Sequence, residues 1–191
     1  MAKVTTNQAE VTKTPFQELY TTYSSLVYNT ALSFLQNIED AEEVTQDVFV
    51  NVYHHYDGFK EKSALTTWLY RITVNTALDV LKSKKRKKRF ARLINMFDSS
   101  TQELKYDAPD FDHPGILSEK KESASELFRA IAQLPLRQQT AIVLTQIEGL
   151  SYDKTAAVMK ASTSAVESLV VRAKKNLKEI LSDFYYEHLS V

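Results

Sequence analysis

The chain has 191 residues, 43% of them apolar, and its 24 Lys/Arg balance its 24 Asp/Glu. With 3 Gly, 4 Pro and no Cys, a disulfide scaffold, a thiolate metal site and a cysteine nucleophile are excluded, and an all-α protein of a reducing compartment is favoured over a sandwich or barrel. The zero net charge hides a pattern: residues 1–97 carry 13 Lys/Arg against 10 Asp/Glu, 98–122 carry 3 against 7, and 123–191 carry 8 against 7, which marks separate units.

Residues 1–14 are polar and Thr-rich and read as a frayed tail. The start has no apolar core of signal-peptide length, and no later stretch approaches the roughly 20 apolar residues of a membrane span; a cytoplasmic location is expected. From Pro15, Phe16, Leu19, Tyr20, Tyr23, Leu26, Val27, Ala31, Phe34 and Leu35 recur at helical spacing and predict a core helix to about Leu35. Asn37 is placed to cap the next helix by accepting from the amide of Asp40, with Glu39, Asp40, Glu42 and Glu43 at the positive end of the dipole. Ala41, Val44, Val48 and Val52 give that helix its buried stripe. Glu43, Gln46, Asp47 and Val50 form an outward acidic patch, which suits a basic partner or, on charge alone, a solvated face.

Residues 57–63, DGFKEKS, interrupt the period and predict a loop. It leads into the stretch that organises the chain, Ala64 to Lys82. Leu65, Leu69, Ile72, Thr76 and Val80 form one buried face, and Trp68, Arg71, Asn75, Asp79 and Lys82 recur on an adjoining stripe. An aromatic plate, cations, an amide and a carboxylate side by side are what single-stranded nucleic acid requires for stacking, base-edge hydrogen bonds and phosphate neutralisation. The same residues also fit a core helix with Trp68 buried and Asp79 paired to Arg71 or Lys82. The cations continue as Lys84, Lys85, Arg86, Lys87, Lys88, Arg89 and Arg92, which turns the balance toward phosphate contact.

Residues 98–119 contain two prolines, a glycine and many acids without sustained period, and predict a linker. Beyond it Ala124, Leu127, Phe128, Ile131 and Leu134 set a helical stripe ending at Pro135. A second helix follows with Ala141, Ile142, Leu144 and Ile147 inside and Gly149 as its C-cap residue. Ser151 can cap a short helix through Met159, Lys160-Ala161-Ser162 makes a turn, and a last long helix starts near Thr163. Val166, Leu169, Val170, Ala173 and Leu177 face inward there, and Ser164, Ser168, Val171, Arg172 and Lys175 outward, which describes a helix-turn-helix.

Taken together, Asp40-Ala41-Glu42-Glu43-Val44-Thr45-Gln46-Asp47-Val48-Phe49, Thr67-Trp68-Leu69-Tyr70-Arg71-Ile72-Thr73-Val74-Asn75 with Asp79, Leu134-Pro135, and a helix-turn-helix ending Arg172-Ala173-Lys174-Lys175-Asn176-Leu177 resemble the sigma-70 family of bacterial RNA polymerase sigma factors. Two helical units on a short linker resemble its extracytoplasmic-function group. The resemblance implies region 2 over residues 15–97 and region 4 over 120–191. It implies that Glu42, Glu43, Gln46, Asp47, Phe49 and Val50 bind the β′ clamp helices of core polymerase, with the β flap as a further contact. It also implies that Phe59, Lys60, Lys62, Ser63, Trp68, Arg71, Asn75, Asp79, Lys82, Lys84, Lys85 and Arg86 recognise and melt the minus-ten element, capturing the non-template strand. Ser162, Ser164, Ser168, Val171, Arg172 and Lys175 would read the duplex minus-thirty-five element, and an anti-sigma factor is an expected partner. No cofactor, metal, catalytic residue or small-molecule substrate is implied.

The chain departs from the family where Lys154 stands for Glu, Thr155 for Ile, Lys160 for a turn Gly, and Glu167-Ser168-Leu169 for a Lys-Ser-Arg run. Glu167 replaces a cation near phosphate, which weakens nonspecific binding or favours a cytosine contact. The alternative function is a stand-alone helix-turn-helix regulator of duplex DNA, in which Trp68 and Asn75 would be interior residues. A metal enzyme built on Glu43, His54, His55 and Asp57 is disfavoured, because adjacent histidines on a helix point about 100° apart. How the two units pack is left open, although the opposite charges of residues 82–92 and 98–112 give them a reason to meet.

Overall fold

The computed structural model describes residues 15–56, 64–97 and 121–189, and among these it contains helices and short turns and no strand. The tail, the 57–63 loop with Phe59, Lys60, Lys62 and Ser63, and the 98–119 linker lie outside the described residues.

Pro15 precedes α1 (Phe16–Leu35), which ends on Gln36 in the left-handed conformation, φ 53° and ψ 30°. One residue later Asn37 is extended and its side chain accepts from the Asp40 amide at 2.8 Å, starting α2 (Ile38–His55). A cap of this kind contributes about 1 kcal/mol, and with Gln36 it fixes a two-residue reversal that lays α2 back on α1. The long third helix, α3 (Leu65–Phe97), carries the organising stretch and the basic run without a break. Leu69 is completely buried against both preceding helices in a core with Leu19, Val27, Ala31, Val44, Val48 and Val52; each such side chain stabilises by roughly 1.5–3 kcal/mol.

The C-terminal unit begins with α4 (Lys121–Gln133) and, across Pro135, α5 (Leu136–Ile142). The chain then makes one π turn, Val143–Ile147, and leaves the helix at Glu148. Gly149 has φ +68° and the Leu150 amide reaches back to the Leu144 carbonyl at 2.9 Å, so the predicted glycine C-cap is observed. Ser151 accepts from the Lys154 amide and opens α6 (Tyr152–Met159), and α7 (Thr163–Leu189) follows the turn. Val166, Val170, Ala173 and Leu177 are buried as expected.

The two units are not independent cores. Phe34 of α1 and Val74 and Ala77 of α3 are buried in one cluster with Ala130 and Ile131 of α4, Leu134 just past its end, and Ala156 and Val158 of α6. Thus α3 buries two faces: Leu69 toward its own unit, Val74 and Ala77 toward the other.

Candidate nucleic-acid interface

On α3, Asn75, Asp79 and Lys82 are exposed, and Trp68 is half-buried where it packs on the first core. Asp79 and Lys82 pair at 2.8 Å, one turn apart and both largely in solvent, so the pair adds a few tenths of a kcal/mol and leaves both groups available. Lys84 pairs with Asp40 at the start of α2, and Lys85 to Arg89 are exposed. The helix therefore presents an amide, a carboxylate and a file of cations to solvent, beside a partly covered indole. The exposure of Asn75 goes against the interior position that a stand-alone regulator would give it.

Arg71 has a different environment. Its guanidinium crosses to the C-terminal unit, where Nη2 donates to the Ala157 carbonyl at 2.6 Å, and its buried Nε has no hydrogen-bond partner. Ala157 lies in the last turn of α6, where carbonyls lack intrahelical donors and the dipole is negative; the amides of Lys160 and Ala161 both go to the Ala156 carbonyl instead.

On α2, Glu42, Glu43, Gln46 and Asp47 are exposed, and Val50 is 56% exposed beside them. Phe49 is a correction: expected on this face, it is 4% exposed and its ring meets Phe16 at 6.3 Å and Tyr20 at 4.7 Å between centroids. The aromatic side of α1 widens the buried arc of α2 by one position, from the Val44/Val48 stripe to include Phe49. Tyr53, 64% exposed and in edge contact with Phe16, extends the surface instead.

In the helix-turn-helix, Ser162 accepts from the Ala165 amide at 3.2 Å and caps α7, and the Thr163 hydroxyl donates to Asp153 at 2.8 Å, tying α7 to α6. Ser164, Ser168, Arg172 and Lys175 are exposed, with Val171 68% exposed between them. This is a polar, basic face with one apolar contact point, of the size that enters a major groove. Lys160 in the turn has φ 50° and ψ 50°.

One group was not singled out in sequence. Glu148 is largely buried between the units: the Tyr70 hydroxyl donates to it at 3.4 Å, and Thr30 Oγ1 at 3.1 Å and Ser33 Oγ at 3.3 Å share their protons between it and the Leu26 and Asn29 carbonyls of their own helix, at 2.8 and 2.9 Å. Burial raises its pKa above the ordinary carboxylate value, against the three hydroxyls, which lower it. Burial, the Glu148 charge and their shared hydrogen bond push Tyr70 up to about 12. Nearby, Gln36 Nε2 donates to the Phe128 carbonyl at 2.7 Å. A single Glu at a helix end is ordinarily solvated, and its partners are more than 70 positions away, so local sequence carried no signal for it. Among the described residues no group of His, Asp and Glu is placed to hold a metal; His55 bonds the Asn51 carbonyl within its own helix.

Residues 19–87 match the family model for sigma-70 region 2, and residues 124–177 the model for sigma-70, region 4. The chain is 32% identical over 136 residues to the ECF RNA polymerase sigma-E factor of Escherichia coli K12, covering 71% of each chain. It is 29% identical over 175 residues to the RNA polymerase sigma-H factor of Pseudomonas aeruginosa, covering 92% of this chain and 90% of that one. Among solved structures it is similar to the sigma factor RpoE of Bartonella quintana in complex with the anti-sigma factor NepR, with a TM-score of 0.63, 22% identity and coverage of 87% and 96%. It is also similar to CnrH in complex with the cytosolic domain of CnrY, with a TM-score of 0.61, 24% identity and coverage of 88% of each chain. At these identities the structural likenesses speak for the fold.

Proposed function

The chain belongs to the extracytoplasmic-function group of the sigma-70 family of RNA polymerase sigma factors, and from that premise we propose how its surfaces divide the work of starting transcription. It is a sigma factor: it binds core polymerase, recognises promoter DNA and promotes strand opening, and the chemistry of RNA synthesis belongs to the polymerase. Residues 15–97 form the unit for polymerase and the minus-ten element, and residues 120–191 the unit for the minus-thirty-five element.

The observation that carries the residue-level reading is the solvent face of α3, where Asn75, Asp79 and Lys82 run into the exposed cations Lys84 to Arg89 on one unbroken helix. Asn75 would hydrogen-bond an unpaired base edge, Trp68 would stack, and the cations would track the non-template backbone. On α2, Glu42, Glu43, Gln46, Asp47 and Val50 are assigned to the β′ clamp helices, with Phe49 supporting that face from beneath. On α7, Arg172 and Lys175 suit phosphate or guanine, and Val171 a thymine methyl group.

Acting in the cytoplasm fits the absence, among the described residues, of any helix long and apolar enough to cross a membrane. An anti-sigma factor is assigned as a further partner, since one structural neighbour, the sigma factor RpoE of Bartonella quintana, is bound to the anti-sigma factor NepR. Run-off transcription by sigma-free core polymerase on promoter fragments tests the reading: the wild type should give discrete starts, and Asn75→Ala should bind polymerase yet fail to open duplex promoters. Tight duplex binding by the chain alone, with no transcript in polymerase, would favour the stand-alone regulator.

A further inference from the structure

We propose that Glu167 is a base-selecting residue of the recognition helix α7, and that it directs this chain to a minus-thirty-five element with a cytosine facing that carboxylate. The proposal rests on the reading of α7 as the helix that enters the duplex.

Charge divides α7 into two parts. From Thr163 to Val171 the only charged residue is Glu167, whereas Arg172, Lys174, Lys175 and Lys178 follow within the next two turns. All four cations are exposed, as are Ser164, Glu167, Ser168 and Val171 on the outward stripe. In a helix laid into the major groove the N-terminal residues meet base edges, and cations beyond them suit the flanking phosphates. Glu167 therefore stands among the base-reading residues. The start of the helix is held in place, because Ser162 accepts from the Ala165 amide at 3.2 Å and Thr163 donates to Asp153 at 2.8 Å.

Nothing in the protein neutralises this carboxylate. Three and four residues away on either side stand Thr163, Ser164, Val170 and Val171, so its own helix offers it no cation. Among the described residues no ion pair includes Glu167, while Glu179 on the same helix pairs with Lys175 at 3.9 Å. An unpaired carboxylate on a surface that meets a polyanion opposes binding to every sequence that gives it no donor.

Two bases offer an amino group in the major groove. That of adenine lies between two acceptors, its own N7 and the O4 of the paired thymine, and both repel a carboxylate. That of cytosine has an acceptor on one side only, the O6 of the paired guanine, so Glu167 selects cytosine. Val171, 68% exposed one turn further on, suits a thymine methyl group. Four residues of helix rise about 6 Å, against about 3.4 Å per base, which places the two base pairs within two steps of each other.

The test uses core polymerase carrying the full chain, bound to a promoter library with a constant minus-ten segment and a randomised minus-thirty-five region. Retained templates are sequenced. The wild type should enrich cytosine at one position, with each other base there disfavoured about tenfold, and thymine within two steps of it. Glu167→Gln, whose amide pairs with N6 and N7 of adenine, should move the preference at that position alone to adenine. Glu167→Ala should erase the preference there and raise binding to noncognate duplex several-fold. Because Glu167 is exposed, both variants should keep the wild-type urea midpoint. If both retain the wild-type base preferences at every position, Glu167 is only a surface charge, and the proposal falls while α7 keeps its role. If the wild type retains all upstream sequences equally, the reading of α7 fails and takes the proposal with it.

Discussion

Tyr70 and Glu148 lie 78 positions apart and share a hydrogen bond, the phenol of α3 donating to the carboxylate just past the π turn. The effect is one-sided: burial and then the Glu148 charge push the phenol up to about 12, while burial raises the carboxylate and the Tyr70 hydrogen bond partly offsets that rise. The result is a site that accommodates a neutral acid better than an anion, placed where the two halves of the sigma factor touch.

The closed arrangement should therefore respond to pH. Glu148 has a raised pKa when the units are together and an ordinary one, near 4.5, when they part. A group of that kind adds stability to the closed form that is fully present below the open-form value and lost as pH rises through the closed-form value. Around it stand Thr30, Ser33 and Tyr70, and the phenol stays neutral throughout that range. Mild acid should favour the closed form, and raising pH from the ordinary carboxylate range upward should open it, by up to about tenfold per pH unit within the window. Inter-unit distance measured from pH 4.5 to 8 should show this slope in the wild type, and Glu148→Gln should flatten it.

Two residues of the helix-turn-helix carry a local cost that substitution should relieve. Lys160 sits at φ 50°, where a side chain costs up to about 1 kcal/mol. The Thr155 hydroxyl is buried without a partner, a burden of about 1–3 kcal/mol. Lys160→Gly should stabilise by roughly 0.5–1 kcal/mol and Thr155→Val by about 1 kcal/mol, read as a higher urea midpoint at unchanged slope. A lower midpoint for Thr155→Val would mean the hydroxyl is satisfied in solution.

These cases show what kind of information the chain carries openly. The Asn37 cap, the Gly149 C-cap, the Ser151 cap and the inner face of α7 depend on residues within a few positions of one another, and spacing alone located them. The burial of Phe49, which the resemblance assigns to the polymerase contact, is not legible in spacing, because the width of a buried arc depends on the opposing helix, here the aromatic side of α1. Val74 and Ala77 carry no local signal of burial, because the second buried face of α3 exists only against the distant unit. Glu148 and Gln36 bond partners 78 to 118 positions away, which no periodicity encodes.

On α2 the buried and exposed neighbours should separate stability from binding. Phe49→Ala removes a ring packed between Phe16 and Tyr20 and should cost about 3–5 kcal/mol in urea unfolding. Val50→Asp, at a position 56% exposed, should leave the midpoint nearly unchanged. If α2 is the polymerase face, Val50→Asp should weaken binding to core polymerase at least tenfold in a titration of labelled sigma, because it puts another charge at the apolar centre of an acidic patch. Unaltered affinity would move the polymerase contact off this face.

Trp68 and Asn75 share the stripe assigned to the melted strand but differ in burial, so their variants should fail differently. Asn75 is exposed, and Asn75→Ala should change stability by less than about 0.5 kcal/mol. Its loss should appear only when DNA must be opened: duplex promoters fall about tenfold or more in run-off yield, while promoters with a pre-melted minus-ten segment recover part of that, since pairing no longer competes with capture. Trp68 packs on the first core, so Trp68→Ala should cost about 2–4 kcal/mol as well as reducing opening. Trp68→Phe restores an aromatic surface to both roles and should return most of the stability and part of the activity. If Trp68→Phe regained full stability with no gain in opening, the indole would be required by the strand rather than by the core; if stability and opening recovered in parallel for every variant, Trp68 would act on DNA only through the fold.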